Sequence, residues 1–138
     1  MVSQNLIELR ALTEILKEKH ETSDAFFDMA LDPLAIVNLD CVFKKMNKAW
    51  EKVLGWTIDE LISTPIVKFV HPEDVTSTCV AFKALIDAGT QVSYFRNRYL
   101  CKDGSYKILC WTAQIDKESG SIYAVVRDYA AMIDKVSQ

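Results

Sequence analysis

Asn97-Arg98-Tyr99-Leu100-Cys101-Lys102-Asp103-Gly104-Ser105-Tyr106 is the stretch whose reading decides the fold. Lys102-Asp103-Gly104-Ser105 carries the residues of a tight turn, because Gly tolerates positive φ and Asp hydrogen-bonds its own backbone. On either side the apolar pattern has a period of two, which predicts an antiparallel hairpin. Its arms run over Gln91–Cys101 and Tyr106–Ile115. Glu118-Ser119-Gly120 supplies a second turn, and Ile122–Arg127 reads as a third long strand.

Upstream the period changes to that of a helix. Val75, Cys79, Phe82, Leu85 and Ile86 fall at helical spacing, with His71-Pro72-Glu73-Asp74 as the entry turn and Gly89 as the stop. In this reading Cys79 is a small buried residue on the apolar stripe. Thr57 followed by Glu60 has the spacing of a capping box, which predicts a helix of one to two turns. Asn47 is placed to cap a helix through Ala49, Trp50, Val53 and Leu54, closed by Gly55. Leu34–Leu39 and Val42–Met46 read as two short strands around Asp40-Cys41, where a Cys makes a left-handed turn costly.

The first segment, residues 3–22, reads as a helix without Gly or Pro. Leu6, Leu9 and Leu16 fall at a/d spacings, widened by Leu12 and Ile15. Ser23 or Asp24 is placed to cap a second short helix, Ala25–Leu31. Residues 129–138 read as the start of an outgoing helix. The predicted class is α+β: a five-stranded antiparallel sheet with short helices on one face and an N-terminal flanking helix.

This order and its punctuation resemble the PAS family. Asn47-Lys48-Ala49-Trp50, then Leu54-Gly55-Trp56-Thr57 and Glu60-Leu61, resembles the family's N-x-A-W, L-G-Y/W-S/T and E-L segment. Phe69-Val70-His71-Pro72-Glu73-Asp74 resembles its V-H-P-D/E-D turn, and Asn97 to Tyr106 with Trp111 resembles its N-R-Y-x-C-K-D-G-S-Y hairpin. Tyr123-Ala124-Val125 with Arg127-Asp128 resembles the last strand, although Tyr129-Ala130 replaces the usual Ile-Thr ending. The resemblance covers roughly residues 26–130. It implies a flanking and dimerisation helix at 1–22, a PAS domain at 23–130 and the start of a C-terminal linker helix at 131–138. It also implies a sensory module of a bacterial signalling protein, resembling those of sensor histidine kinases and diguanylate cyclases. Such a module catalyses nothing itself, and its effector domain lies in the same or another chain.

Aligned on the family, one sheet face points inward. Phe95, Asn97, Tyr99, Leu109, Trp111, Ala113, Ile122, Ala124 and Val126 should line it, with Ile115 at the end of the row. Two readings of this set stay open: a filled core, or a small, mostly apolar pocket for an unknown small molecule, with Asn97 and Tyr99 as its polar groups. The outward face should carry Tyr94, Leu100, Ile108, Cys110, Tyr123 and Val125. From another class, a small α+β enzyme or ligand carrier with its centre at Asn97 or Tyr99 is the alternative.

No haem or flavin is expected. Haem-binding PAS domains of the oxygen-sensing type take a histidine from the long helix, which here has none, and His71 reads as a turn residue. Light-sensing LOV domains need a cysteine before that helix, and Ser63–Asp74 contains none. The positions where LOV domains hold flavin with two Asn and a Gln are Tyr99, Leu109 and Val126. No metal-ligand spacing, Ser/His/Asp set or Gly-rich phosphate loop is present, so no catalytic or metal residue is assigned.

The 138 residues fit one domain, and a net charge of −3 without a basic block argues against nucleic acid. No run approaches membrane-span length, and Glu8, Arg10, Glu14 and Lys17 interrupt any signal-peptide core. Cys41, Cys79, Cys101 and Cys110 form no CxxC pair, so free thiols and a cytoplasmic location are expected. The leucine stripe of residues 3–22 predicts a parallel homodimer with Leu6, Leu9 and Leu16 at its interface.

Overall fold

A computed structural model describes residues 2–137, and the side-chain surroundings of these apart from 2–5, 16, 17, 19–22 and 135–137. The chain divides into two compact units, Met1–Ala30 and Leu31–Gln138. The first is a single helix, α1, Val2–Met29. No second helix begins at Ser23 or Asp24: both residues lie inside α1, and no Gly or Pro interrupts the chain before Pro33. Their weak helix propensity costs only tenths of a kcal/mol each, roughly, and does not stop a continuing helix.

The second unit is built on a five-stranded antiparallel sheet in the order β2-β1-β5-β4-β3. The strands are β1 Leu34–Val37, β2 Phe43–Met46, β3 Val92–Leu100, β4 Tyr106–Asp116 and β5 Ser121–Asp128. Between β2 and β3 run α2 Ala49–Leu54, α3 Ile58–Leu61, 3-10 turns at Ile66–Phe69 and Pro72–Asp74, and α4 Val75–Ala88. Helix α5, Tyr129–Ser137, follows β5 with no intervening residue.

Several expected devices are present. Gly55 ends α2 at φ 85°, and Thr57 with Glu60 forms the capping box of α3. His71 acts as a turn residue, its Nδ1 accepting the Glu73 N–H at 3.0 Å. Others differ. Asn47 does not cap α2: it is fully buried, accepts the Leu34 N–H at 2.8 Å and donates to the Asp32 carbonyl at 3.0 Å. An amide has both a donor and an acceptor, so it can satisfy the backbone on both sides of Pro33.

Cys41 keeps a left-handed turn at φ 60° despite its Cβ, at a cost of about 1–2 kcal/mol. The Asn38 side chain holds that turn by accepting the N–H groups of Asp40 and Val42, each at 3.0 Å. Cys79 is exposed, not buried; the inner stripe of α4 is Thr78, Phe82 and Leu85. The stripe can include Thr78 because its hydroxyl donates to the Asp74 carbonyl at 2.7 Å.

Strand β3 is broken by an irregularity between Val92 and Phe95, where Tyr94 sits at φ 57°. On the outer face Tyr94, Ile108, Tyr123 and Val125 are exposed as expected, but Cys110 is buried and Leu100 is half-buried against the core. The reason at Cys110 is α5, which packs back on β4 and β5 and leaves a recess of about 270 Å³ lined by Cys110, Val125 and Met132 among others. The Arg96 guanidinium lies 4.7 Å from the Tyr129 ring centre and so joins β3 to the start of α5.

Candidate functional site

The inward face of the long strands meets α2, α4 and the 3-10 turns. Register fixes which residues share it: Trp111 lies opposite Phe95 and Val126, Asn97 opposite Leu109, Ala113 opposite Ala124, and Ile115 opposite Ile122. Asn97, Tyr99, Leu109, Trp111, Ala113, Ile122, Ala124 and Val126 are all buried, while Phe95 and Ile115 are half-buried at the margin.

Trp111 stands at the centre of a ring cluster. Its centroid lies 5.8 Å from Phe82, 5.9 Å from Trp50, 6.2 Å from Tyr99 and 6.5 Å from Phe43. The Phe82 contact is edge-to-face, the arrangement that aligns ring edges with π faces. Sequence reasoning placed only strand residues on this face and missed the rings opposite. Phe43, Trp50 and Phe82 come from β2, α2 and α4, and their signal was the Trp and Phe on the apolar stripes of those elements.

The polar atoms of the site are paired with protein. The Trp111 indole N–H donates to Asn97 Oδ1 at 2.8 Å, and Asn97 Nδ2 donates to Thr78 Oγ1 at 3.2 Å. Tyr99 donates its hydroxyl to the Ile66 carbonyl at 3.0 Å, and burial pushes its pKa up. Trp50 donates to the Leu34 carbonyl at 2.9 Å. Among the described residues no buried side-chain nitrogen or oxygen lacks a partner. A polar seam therefore runs from Trp111 through Asn97 and Thr78 to Asp74.

Asp74 carries the seam to the surface. Its carboxylate accepts Arg98 Nε and Nη2, each at 2.9 Å, and the Arg98 backbone N–H at 2.8 Å. These bonds, the Arg98 side chain first, hold its pKa at about 2. Asp74 and Glu73 in turn raise the Arg98 pKa. The pair locks the turn before α4 onto β3, and the His71 N–H adds a bond to the Arg98 carbonyl at 2.9 Å. Among the described residues there is no cluster of three or more metal-ligating side chains.

Residues 43–127, more than half of the chain, match the family model described as the PAS fold. The chain belongs to the PAS family. Among solved structures, this PAS domain is similar to a domain of a sensory box sensor histidine kinase/response regulator from Geobacter sulfurreducens. That match has a TM-score of 0.69 and 18% identity, over 82% of this chain and 96% of the other. The PAS domain of an HTR-like protein from Haloarcula marismortui matches with a TM-score of 0.69 and 19% identity, over 86% and 98% of the two chains. Drosophila melanogaster Cycle PAS-B, solved with bound ethylene glycol, matches with a TM-score of 0.58 and 21% identity, over 69% and 95%. At these identities the likeness is one of fold. No curated protein matches the chain.

Proposed function

We propose that this PAS domain is a sensory and regulatory module of a bacterial signal-transduction protein, working by dimerisation and not by chemistry of its own. The observation that carries the reading is the division of polar and apolar groups. The interior polar groups are occupied with one another, while apolar side chains stand exposed on α1 and on the outer sheet face. On α1 they include Leu6, Leu9, Leu12 and Ile15, each at least half exposed, as well as Ile7, Phe26 and Met29. Leu16 lies in the same helix, with its side chain outside the described set. In water such a stripe favours a partner, and a second copy of the helix supplies the matching one.

In this reading Leu6, Leu9 and Leu16 contribute to a parallel homodimer interface. Residues 1–22 form the flanking helix, 23–130 the sensory domain and 131–138 the start of the outgoing linker. The direct junction of Asp128 to Tyr129 supports the output role, because a shift of β5 moves α5 with it. The effector is a domain such as a histidine kinase or diguanylate cyclase, in the same or another chain, and the site of action is the cytoplasm. Among the described residues no helix is long and apolar enough to cross a membrane. A small-molecule signal, if the module takes one, enters at the inward face, where Asn97 and Tyr99 are the polar handles.

Light scattering on the full chain and on a Leu6→Glu, Leu9→Glu variant tests this. The proposal expects a dimer at tens of micromolar for the first and a monomer with unchanged circular dichroism for the second. A variant that stays fully dimeric removes the helix from the interface.

A further inference from the structure

Helix α5 lies back on the outer sheet face, and the recess of about 270 Å³ beside it is built from two neighbouring rungs of the sheet. Cys110 lies opposite Arg127, and Thr112 opposite Val125. Tyr94 of β3 and Met132 of α5 complete the lining. Every polar side chain there can donate a hydrogen bond: the Arg127 guanidinium, the Thr112 and Tyr94 hydroxyls and the Cys110 thiol. Among the described residues no carboxylate lines the recess.

The donors have capacity to spare. Arg127 spends Nε on Asp32 at 3.3 Å, while Nη1 and Nη2 make no bond among the described residues. The half-buried Thr112 hydroxyl makes none there either. Arg96 stands opposite Cys110 on its other side, so two arginines flank the thiol in one row across three strands. Arg96 rests on the Tyr129 ring and pairs with no carboxylate among the described residues. A larger recess of about 520 Å³ also reaches Arg127, but there Asp32 and Asp128 stand in the wall against Arg127 and Lys107. Its cations are answered by the protein; those of the smaller recess are not.

We propose that the recess under α5 binds a small organic acid, a single carboxylate on a hydrocarbon ring or short chain. The Arg127 Nη groups form the fork that a carboxylate fits, and the Thr112 hydroxyl donates a further bond. Arg96 adds positive potential from the next strand. The hydrocarbon body packs on Val125 and Met132, and the flexible Met side chain adapts to its shape. A volume below the about 300–1,000 Å³ of ordinary ligand pockets restricts the body to one ring or its equivalent. An inorganic anion leaves the apolar wall uncovered, and a neutral ring leaves the guanidinium unanswered. An acid of this size binds with a Kd on the order of 0.1–1 mM and leaves on dilution. Because Met132 belongs to α5, a bound acid fills the space beside the helix and holds it to the sheet. This site is on the outer face, apart from the inward face with Asn97 and Tyr99.

The test titrates the folded full chain with sodium benzoate at constant ionic strength and follows methionine methyl and side-chain N–H signals by NMR. The expected result is a saturable shift at Met132 and at the Arg127 side chain, half-complete at or below about 1 mM. Benzamide, the neutral analogue, and inorganic phosphate, a charge without a ring, should each bind about tenfold more weakly or worse. Arg127→Gln should remove the response with circular dichroism unchanged. Asp32→Asn, which deletes the ion pair and leaves the recess intact, should keep it. Absence of a saturable shift overturns the proposal, as does benzamide or phosphate matching benzoate on the unsubstituted chain. So does a response that survives Arg127→Gln. Shifts at the Trp111 indole N–H in place of Met132 would put the acid on the inward face and overturn it equally.

Discussion

The two faces of the sheet use similar side chains to opposite ends. Inside, Trp111 and Tyr99 are completely buried, ringed by Phe43, Trp50 and Phe82, with each polar tip bonded to a named neighbour. Outside, Tyr94 is 72% exposed and Tyr123 48%, beside Ile108 and Val125. An aromatic inside therefore contributes packing, dispersion and a hydrogen bond, while one outside contributes almost nothing until something covers it. The inner face holds the domain together, while the outer face keeps apolar side chains exposed beyond the part that α5 covers.

The contrast breaks most visibly at Trp111. Trp111→Ala should cost about 3–5 kcal/mol in denaturant melts, as large aromatic truncations in cores do. It removes the ring at the centre of the cluster and leaves Asn97 Oδ1 without its donor. A loss below about 1 kcal/mol would mean that the inner cluster is not the core described.

A smaller effect is expected at the rim of the inner face, where Asp74 and Arg98 pair. The native Asp74 carboxyl titrates at about 2 against an ordinary 3.8. A depressed native value means that the pair adds stability above about pH 4, and that this stability is lost as pH falls through about 2. Partial solvent screening leaves the contribution on the order of 1 kcal/mol. Asp74→Asn should lower stability by about that amount at pH 7 and flatten the acid limb between pH 4 and 2. An acid profile unchanged by the substitution would remove Asp74 from the account.

The smallest effect belongs to the outer face. Tyr123→Ser should change the stability of the monomer by no more than about 0.5 kcal/mol, as expected for an exposed site. If the outer face joins the dimer, the same variant weakens association in sedimentation. A loss of several kcal/mol in the melt would show that Tyr123 is part of the core after all.

How much of this was legible in the sequence follows from which signals are local. Alignment on the PAS family placed the inward row from Asn97 to Val126, since one anchored position on a strand sets which of its two faces the others share. Gly55 and the Thr57–Glu60 box announced their helix ends by chemistry confined to a few residues. Asn47 looked like a cap because its partners, Leu34 and Asp32, are far away in sequence. Cys79 and Thr78 exchanged roles because a helical stripe is broad, and a Thr joins it once Asn97 is there to share its hydroxyl. The break at Tyr94 had no Gly to mark it. Cys110 is covered by α5, whose packing cannot be read from the alternation of β4. The ring cluster opposite Trp111 was the least legible part of the site, since it gathers three elements that only the folded chain brings together.

Native mass spectrometry of freshly purified full-length protein tests the central claim most directly, because one spectrum reports both association and interior occupancy. The account predicts a species at twice the chain mass, with no haem, flavin or other stoichiometric small molecule attached. A monomer at tens of micromolar, or a dimer carrying one bound cofactor per chain, would contradict it.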